Sequence, residues 1–159
     1  MDLARYHAGG ADREAPGADR LWQPGRRGNQ RAGGYVDDEP AGWVAVEPRT
    51  AYPKLLSLRM PWSGRDEDKD DDGIWAVTCF AVRKGYRKRG LTYALAMAAV
   101  DFARRRGARA LEGYAMRTEP GKEITWGELH VGALGVFEEA GLREVSYPSK
   151  RRVVMRIDF

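Results

Sequence analysis

The residues best suited to chemistry lie in one short basic segment, Arg83-Lys84-Gly85-Tyr86-Arg87-Lys88-Arg89-Gly90. It connects an apolar run, 74–82, to a periodic amphipathic segment that starts at Leu91. N–H groups at a helix start lack partners within the helix and carry a partial positive charge, so they bind phosphate well. Gly90 lets the backbone approach a ligand, and Arg87 with its neighbours adds charge. The pattern predicts an anion site, typical of a diphosphate, at a strand–turn–helix junction.

Metal and redox chemistry have weaker signals. Cys79 is the one cysteine, so an intramolecular disulfide is ruled out and a structural zinc site is disfavoured. Its position within an apolar run indicates inert packing. The acidic segment 65–73 is typical of an exposed loop, because so many carboxylates repel one another. It lacks the glycine and glutamate spacing of a helix-loop-helix calcium site, and we expect no metal.

A strand, a helix and a second strand position the basic segment. Residues 74–82 are apolar and rich in β-branched and aromatic side chains, as in a central strand covered on both faces. Leu91, Leu95, Ala98 and Phe102 share one face of a helix over 91–106, which Gly107 closes. Residues 110–116 form the next buried strand, and this order predicts a right-handed parallel crossover.

The remaining elements complete an α/β fold with a mixed sheet. We predict a hairpin over 35–46, a short helical piece over 52–58, a polar loop over 117–129, a second helix over 131–140, and closing strands over 142–147 and 152–159. The last strand alternates apolar and polar residues, as one buried sheet face requires. Residues 1–34 lack a periodic apolar pattern, so we predict a flexible or irregular arm over 1–34 and one domain over 35–159.

Composition excludes several classes of protein. With 159 residues, 43% hydrophobic and 31% charged, the chain has the size and balance of one globular domain. No apolar run approaches the roughly 20 residues of a membrane span, and no export leader is recognisable, so we expect no membrane partner and a cytoplasmic location. Nine basic residues against one acid between Arg83 and Arg109 indicate an anionic partner, either a phosphorylated ligand or nucleic acid, with a solvated basic surface as the alternative.

Two motifs resemble the GNAT superfamily of acetyl-CoA-dependent N-acetyltransferases. The family signature Gln/Arg-x-x-Gly-x-Gly/Ala is similar to Arg87-Lys88-Arg89-Gly90-Leu91-Thr92, with Thr92 in place of the last small residue. The later family motif Asn-x-x-Ala-x-x-x-Tyr-x-x-x-Gly-Phe is similar to residues 130–142, which keep its alanine and glycine. The resemblance covers about residues 35 to 159. It implies a GNAT fold, in which a mixed, mostly antiparallel sheet has central parallel strands splayed around acetyl-CoA.

The resemblance also implies a reaction in which an amine attacks acetyl-CoA directly, with both substrates bound. The strands 74–82 and 110–116 would part after Val82, and the pantetheine would lie against the main chain near Phe80 to Val82. One N–H group there would polarise the thioester carbonyl. The implied cofactor-binding residues are Phe80, Ala81, Val82, Arg87, Lys88, Arg89, Gly90, Leu91, Thr92, His130 and Phe137.

The chain departs from the family where catalysis needs acids and bases. Phe137 replaces a tyrosine that protonates the departing thiolate in many members, and Tyr114 is the substitute we name. Glu112 is the first choice for the base, since a carboxylate in an apolar strand is costly to bury without purpose. Its alternative is solvent exposure or pairing with an arginine. His130 is the second choice, with a cofactor contact or helix cap as its alternative. The usual first strand and its two helices are not recognisable before Tyr35.

Three functions remain open on the sequence. The first is acetyl transfer to a primary amine of a small molecule or protein. The second is an acyl-CoA-binding module with little turnover, as Phe137 would allow. The third is nucleic-acid binding, which the scarcity of interleaved aromatics disfavours. The expected partners are acetyl-CoA and the amine, and a homodimer paired through the C-terminal strands or the arm is compatible with the sequence.

Overall fold

The computed structural model describes residues 22–24, 30–36, 39–119, 121–122 and 124–159. These residues form a seven-stranded mixed sheet in the order β1-β2-β3-β4-β5-β7-β6. The strands are β1 Trp22–Pro24, β2 Gln30–Val36, β3 Glu39–Pro48, β4 Ile74–Val82, β5 Ala110–Met116, β6 Arg143–Ser149 and β7 Arg152–Asp158. The β4–β5 pair is parallel and the other neighbours are antiparallel, which confirms the predicted fold class.

The helices are few and mostly short. They are α1 Pro53–Ser57, α2 Leu91–Arg105, α3 Trp126–Leu129 and α4 Leu134–Glu139. Helix α2 is the crossover between β4 and β5 and packs with α4 on one face of the sheet, in a core that includes Val77, Leu95, Phe102 and Phe137. In the described part of the chain, no helix is long and apolar enough to cross a membrane.

The connection between β3 and β4 covers the opposite face of the sheet. It contains α1 and two short 3-10 turns, Arg49–Ala51 and Met60–Trp62. Leu55 of α1 packs there against Ala76, Tyr114 and Val154. This face also carries buried charged residues, which bear on the candidate base described below.

Three predicted segments differ from the structure, and the first is the loop predicted over 117–129, which ends in α3, Trp126–Leu129. The helix predicted over 131–140 is confined to Leu134–Glu139. The residues before it bond to strands, and Gly132 has a φ of +102°, outside the helical range. The sheet also begins earlier than predicted, with β1 and the first residues of β2 inside the segment assigned to the arm. Residues 1–21 and 25–29 lie outside the described residues, and the division into arm and domain stays a prediction.

Candidate functional site

The basic turn after β4 has a backbone suited to an anion. Lys88 has a φ of 60° and Gly90 a φ of 77°, so two left-handed conformations flank Arg89. The left-handed conformation costs a residue such as lysine about 1 kcal/mol or more, and such strain clusters at ligand-binding sites. Alternating backbone conformations of this kind turn successive N–H groups toward one point. The backbone of the turn therefore favours an anion site.

Helix α2 starts at this turn without a side-chain cap. Gly90 is the N-cap residue, and no side chain bonds the first N–H groups of the helix. The carbonyl of Gly90 accepts from the N–H of Tyr93 at 3.0 Å, as in a regular first turn. The N–H groups of Leu91 and Thr92 precede that bond, at the helix start. A Cβ atom built on Gly90 would meet nothing within 4 Å, so the turn borders open space at this residue.

Exposed cations surround these donors. The guanidinium groups of Arg83 and Arg89 each lie 5.5 Å from the centroid of the Tyr86 ring. The Tyr86 hydroxyl donates to Glu39 at 2.7 Å, and this bond to a carboxylate raises the pKa of the tyrosine. Arg87 Nε donates to the Val82 carbonyl at 3.2 Å, which holds its guanidinium between the end of β4 and the start of α2. Positive charge is thus concentrated where α2 begins.

The central strands part earlier than predicted. Parallel pairing of β4 with β5 runs from Ile74 with Ala110 to Val77 with Gly113 and stops there within the described residues. The expected divergence after Val82 is therefore wrong by five residues, and the last five residues of β4 lie beyond the pairing. The Arg83 N–H points toward β3, donating to Ala41 at 2.9 Å. By alternation along a strand, the N–H groups of Phe80 and Val82 face away from β3 and into the gap.

A segment of the chain itself bridges this gap. We call His130–Ala133 the wedge segment. Its first carbonyl, of His130, accepts the Phe80 N–H of β4 at 2.6 Å. Its third carbonyl, of Gly132, accepts the Met116 N–H of β5 at 2.8 Å, and Ala133 forms a parallel bridge with Met116. One of the main-chain donors assigned to a thioester thus has an internal acceptor in this structure.

Phe137 closes the inner end of the gap. The side chain is 1% exposed, and its ring meets Phe80 edge-on with the centroids 5.8 Å apart. A Cβ on Gly113 would lie 2.3 Å from this ring, and one on Gly132 would lie 2.6 Å from it. Two glycines therefore make room for Phe137 where the strands separate. The ring has no proton to give, so its position supports a packing role at the thioester end.

This packing makes a direct prediction for Gly113→Ala. The added methyl group must displace the Phe137 ring or the strand, and overpacking of a full core costs about 1–3 kcal/mol. The matched control is Gly135→Ala in α4, where an added Cβ meets nothing within 4 Å and alanine is the better helix former. Urea unfolding should show a clear loss of stability for the first variant and none for the second; equal stabilities would contradict the packing described.

Glu112 lies at the centre of a buried ion-pair cluster. Its side chain is 0% exposed. Arg65 donates to both of its carboxylate oxygens, and the distance from Arg65 Nη1 to Glu112 Oε2 is 3.4 Å. Arg49 and Arg156 reach Oε1 at 3.6 Å and 3.5 Å, respectively. Three guanidinium groups thus surround this one carboxylate. These contacts favour the arginine-paired alternative, while the role of base stays a prediction.

Tyr114 is directed at the same cluster. Its hydroxyl donates to Glu112 Oε2 at 3.1 Å. Burial, followed by the negative charge of Glu112, raises the pKa of Tyr114 well above 10. An acid that holds its proton so tightly is poorly matched to a thiolate, since a thiol has a pKa of about 8.5. The geometry therefore gives Tyr114 a structural bond, and its role as the substitute acid is a prediction without support from these contacts.

Glu67 extends the cluster to the surface, and its ion pairs make the stability of the fold depend on pH. Partial burial raises the pKa of its carboxyl, but the bonds and charge of Arg65 outweigh burial, so the pKa lies below its usual 4.5. A lowered folded-state pKa adds stability above the unfolded pKa, which is lost as pH falls through the folded value. Glu67→Gln should therefore flatten the loss of stability below pH 4.5, by less than about 1 kcal/mol because the group is part-exposed. Acid titrations followed by circular dichroism compare this variant with the wild-type protein, and two identical acid limbs would contradict the prediction.

His130 and Cys79 complete the predicted set. His130 Nδ1 lies 2.7 Å from the Gly127 carbonyl, so the side chain is turned toward α3 while its main chain reaches β4. Cys79 is partly exposed and its Sγ lies 3.8 Å from the Phe80 carbonyl. Among the described residues, no group of three or more His, Cys, Asp or Glu side chains could hold a metal ion.

The arginines on the Glu112 side of the sheet and the wedge segment were not predicted from the sequence. Arg49 is 0% exposed and Arg65 nearly so, yet both stand in polar stretches that give no sign of burial. What could have predicted these arginines is Glu112 itself, because a glutamate within an apolar strand needs a buried partner. The signal for the wedge segment was Gly132 inside an otherwise helical pattern.

Comparisons with known proteins agree with this architecture. The family model described as acetyltransferase (GNAT) matches residues 4–118, which include much of the segment assigned to the arm. A GCN5-related N-acetyltransferase from Kribbella flavida is similar in structure, with a TM-score of 0.52, 18% identity and coverage of 89% of this chain and 75% of that one. The aminoglycoside acetyltransferase AAC(6')-Ib, solved with coenzyme A, has a TM-score of 0.52 at 16% identity, covering 82% of this chain and 66%, just under two thirds, of that one.

A ribosomal-protein alanine N-acetyltransferase from Escherichia coli is also similar, with a TM-score of 0.50, 15% identity and coverage of 84% of this chain and 70% of that one. At these identities the likeness to solved structures concerns the fold. No curated protein matches the sequence.

Proposed function

The chain belongs to the acetyltransferase (GNAT) family and is an acyltransferase, and we propose that it moves the acetyl group of acetyl-CoA to a primary amine of a small molecule or protein. The observation that carries the proposal is the parting of β4 and β5 after Val77 and Gly113, next to an open donor turn. The turn fits a diphosphate, and the gap continues from it along β4.

The turn supports the binding half of the proposal. Its donors are the main-chain N–H groups around Gly90, Leu91 and Thr92, with the positive end of the α2 dipole behind them. Arg87 and Arg89 supply charge that a diphosphate pairs with. The turn borders open space at Gly90, and its left-handed residues, Lys88 and Gly90, are typical of a loop that wraps around phosphate.

The gap supports the transfer half. A thioester placed along β4 would meet the N–H groups of Phe80 and Val82 that face the gap, of which that of Phe80 is bonded to the His130 carbonyl in this structure. An N–H aimed at a carbonyl that gains negative charge during attack stabilises the transition state. The thiolate that leaves has an ordinary pKa of about 8.5, so it departs tolerably without a tyrosine at the position of Phe137. The base that takes the proton from the amine is proposed to be His130, Glu112 or a water chain.

A ligand titration tests binding first. Acetyl-CoA at about 100 times its dissociation constant should add about 2.7 kcal/mol to stability. In a domain of this size that corresponds to a rise in melting temperature of roughly 5–10 °C. A wild-type protein that is not stabilised by acetyl-CoA or CoA would contradict the proposal.

Thiol release then separates enzyme from binder. Free CoA is measured with a thiol reagent in the presence of polyamines, aminoglycosides, amino acids or peptides with a free amino terminus. Release that depends on one of these amines supports transfer. Binding without release from any of them supports the acyl-CoA-binding module, which the buried, hydroxyl-free Phe137 ring would suit.

A further inference from the structure

We propose that the wedge segment His130–Ala133 is an autoinhibitory contact. The main-chain carbonyl of His130 occupies the Phe80 N–H, and a thioester would need this donor, so acetyl-CoA reaches its reactive position only after His130 withdraws from β4. This inference rests on the proposed function and adds a conformational step to it.

The contact is a direct competitor for one donor. The Phe80 N–H carries a single hydrogen, and the His130 carbonyl accepts it at 2.6 Å, a short distance for an N–H···O bond. Phe80 lies three residues beyond Val77, the last residue of β4 paired with β5. The carbonyl of His130 therefore stands inside the gap, in the place where a thioester carbonyl would accept the same hydrogen.

The wedge segment is bonded to both strands, through different residues on each side. On the β5 side, Gly132 accepts from Met116 at 2.8 Å and Ala133 forms a parallel bridge with the same residue. On the β4 side, the main-chain bond from Phe80 to His130 is the contact that must break. Gly132, with a φ of +102°, lies between the two halves and gives the chain a pivot. Withdrawal of His130 by rotation at Gly132 would break the bond from the Phe80 N–H and leave the β5 side in place.

One hydrogen bond sets the size of the effect. The net free energy of such a bond changes an equilibrium constant by a factor of roughly two to ten. When the competent conformation is partly populated, the apparent affinity falls by that fraction. The wedge should therefore weaken the binding of acetyl-CoA by about two- to tenfold. It should leave unchanged the binding of a ligand that fills the turn alone.

The first experiment observes the bond itself by NMR. Scalar coupling across the hydrogen bond, between the Phe80 nitrogen and the His130 carbonyl carbon, is measured in the wild-type protein. The coupling should be present without ligand and with 3′-phospho-ADP, which has the diphosphate but no pantetheine. It should vanish with acetyl-CoA. Coupling that persists when acetyl-CoA has shifted the amides of Leu91 and Thr92 would overturn the inference and spare the proposed function. Amides of Leu91 and Thr92 that do not shift with either ligand would instead overturn the proposed function, and the inference with it.

The second experiment weakens the acceptor. Replacing Val131 by its α-hydroxy acid converts the His130 carbonyl into an ester carbonyl, which is a poorer acceptor, and keeps every side chain. The KM for acetyl-CoA should fall by about two- to tenfold. The dissociation constant of 3′-phospho-ADP, the matched control, should stay the same. An unchanged or higher KM for acetyl-CoA would overturn the inference, and the NMR measurement decides it should the ester protein fail to fold.

Discussion

Gly90→Asp is expected to lower the affinity for acetyl-CoA by at least about 100-fold, while Gly90→Asn lowers it by less than about tenfold. The aspartate puts a negative charge where the α2 donors would meet a diphosphate. Two like charges about 4 Å apart repel by roughly 1–4 kcal/mol at the effective dielectric of a protein surface, and a diphosphate carries more than one charge. Every 1.4 kcal/mol is a factor of ten in affinity.

The asparagine variant isolates the charge. Both side chains are of similar size, both tolerate the left-handed backbone that Gly90 adopts at a φ of 77°, and both enter open space. Calorimetric titration with acetyl-CoA measures the affinities, and melting temperatures without ligand control for folding. Equal affinities for the two variants would mean that the diphosphate does not lie at this turn.

Arg87→Ala should further lower the affinity for acetyl-CoA, since the Arg87 guanidinium is held at the end of β4.

Glu112→Gln is expected to cost about 3–5 kcal/mol of stability, the range found when one partner of a buried ion pair is removed. The change leaves Arg49 and Arg65 buried beside a neutral amide, with Arg156 nearby. For a chain of 159 residues this loss lowers the melting temperature by roughly 6–20 °C. Urea unfolding measures it directly.

The control for this prediction is Glu67→Gln, which removes a carboxylate from the same arginines at a position that is 37% exposed. That change should cost less than about 1 kcal/mol.

The reaction rate per folded molecule distinguishes the structural role of Glu112 from a role as general base. A general base contributes roughly 10²–10⁴-fold. A loss of rate of that size with nearly unchanged stability would identify Glu112 as the base and contradict the structural role.

The segments that position the donor turn were predictable because each has one strong signal. β4 is a continuous apolar run, and α2 has apolar residues on a single face with a cap at Gly107. Their order along the chain fixes the parallel crossover, and the anion site follows from the geometry of a helix start. The strand, the helix and the crossover need no knowledge of distant residues, which explains why they are confirmed in the fold, whereas the anion site stays a prediction.

The gap was harder to predict because it depends on contacts between distant residues. Helical periodicity over 131–140 concealed the wedge segment. Its backbone is set by Gly132 against the rings of Phe80 and Phe137 and by bonds to Phe80 and Met116. The point where the strands part, after Val77 and Gly113, depends on the same packing. No local pattern in the sequence carries that information.

The partners of Glu112 could not be identified from the sequence either. A glutamate in an apolar strand signals either chemistry or a buried partner, and the sequence alone left both open. The fold brings Arg49 and Arg65 from the β3–β4 connection, more than 45 residues away along the chain, to its oxygens. The partner is thus set by the tertiary path of that connection.

A crystal structure with acetyl-CoA tests the central claim most directly. The account predicts diphosphate oxygens within hydrogen-bond distance of the main-chain nitrogens of Gly90, Leu91 and Thr92, and a pantetheine chain between β4 and β5 alongside Phe80 to Val82. A diphosphate bound away from the start of α2, or a pantetheine that lies outside the gap, would contradict it.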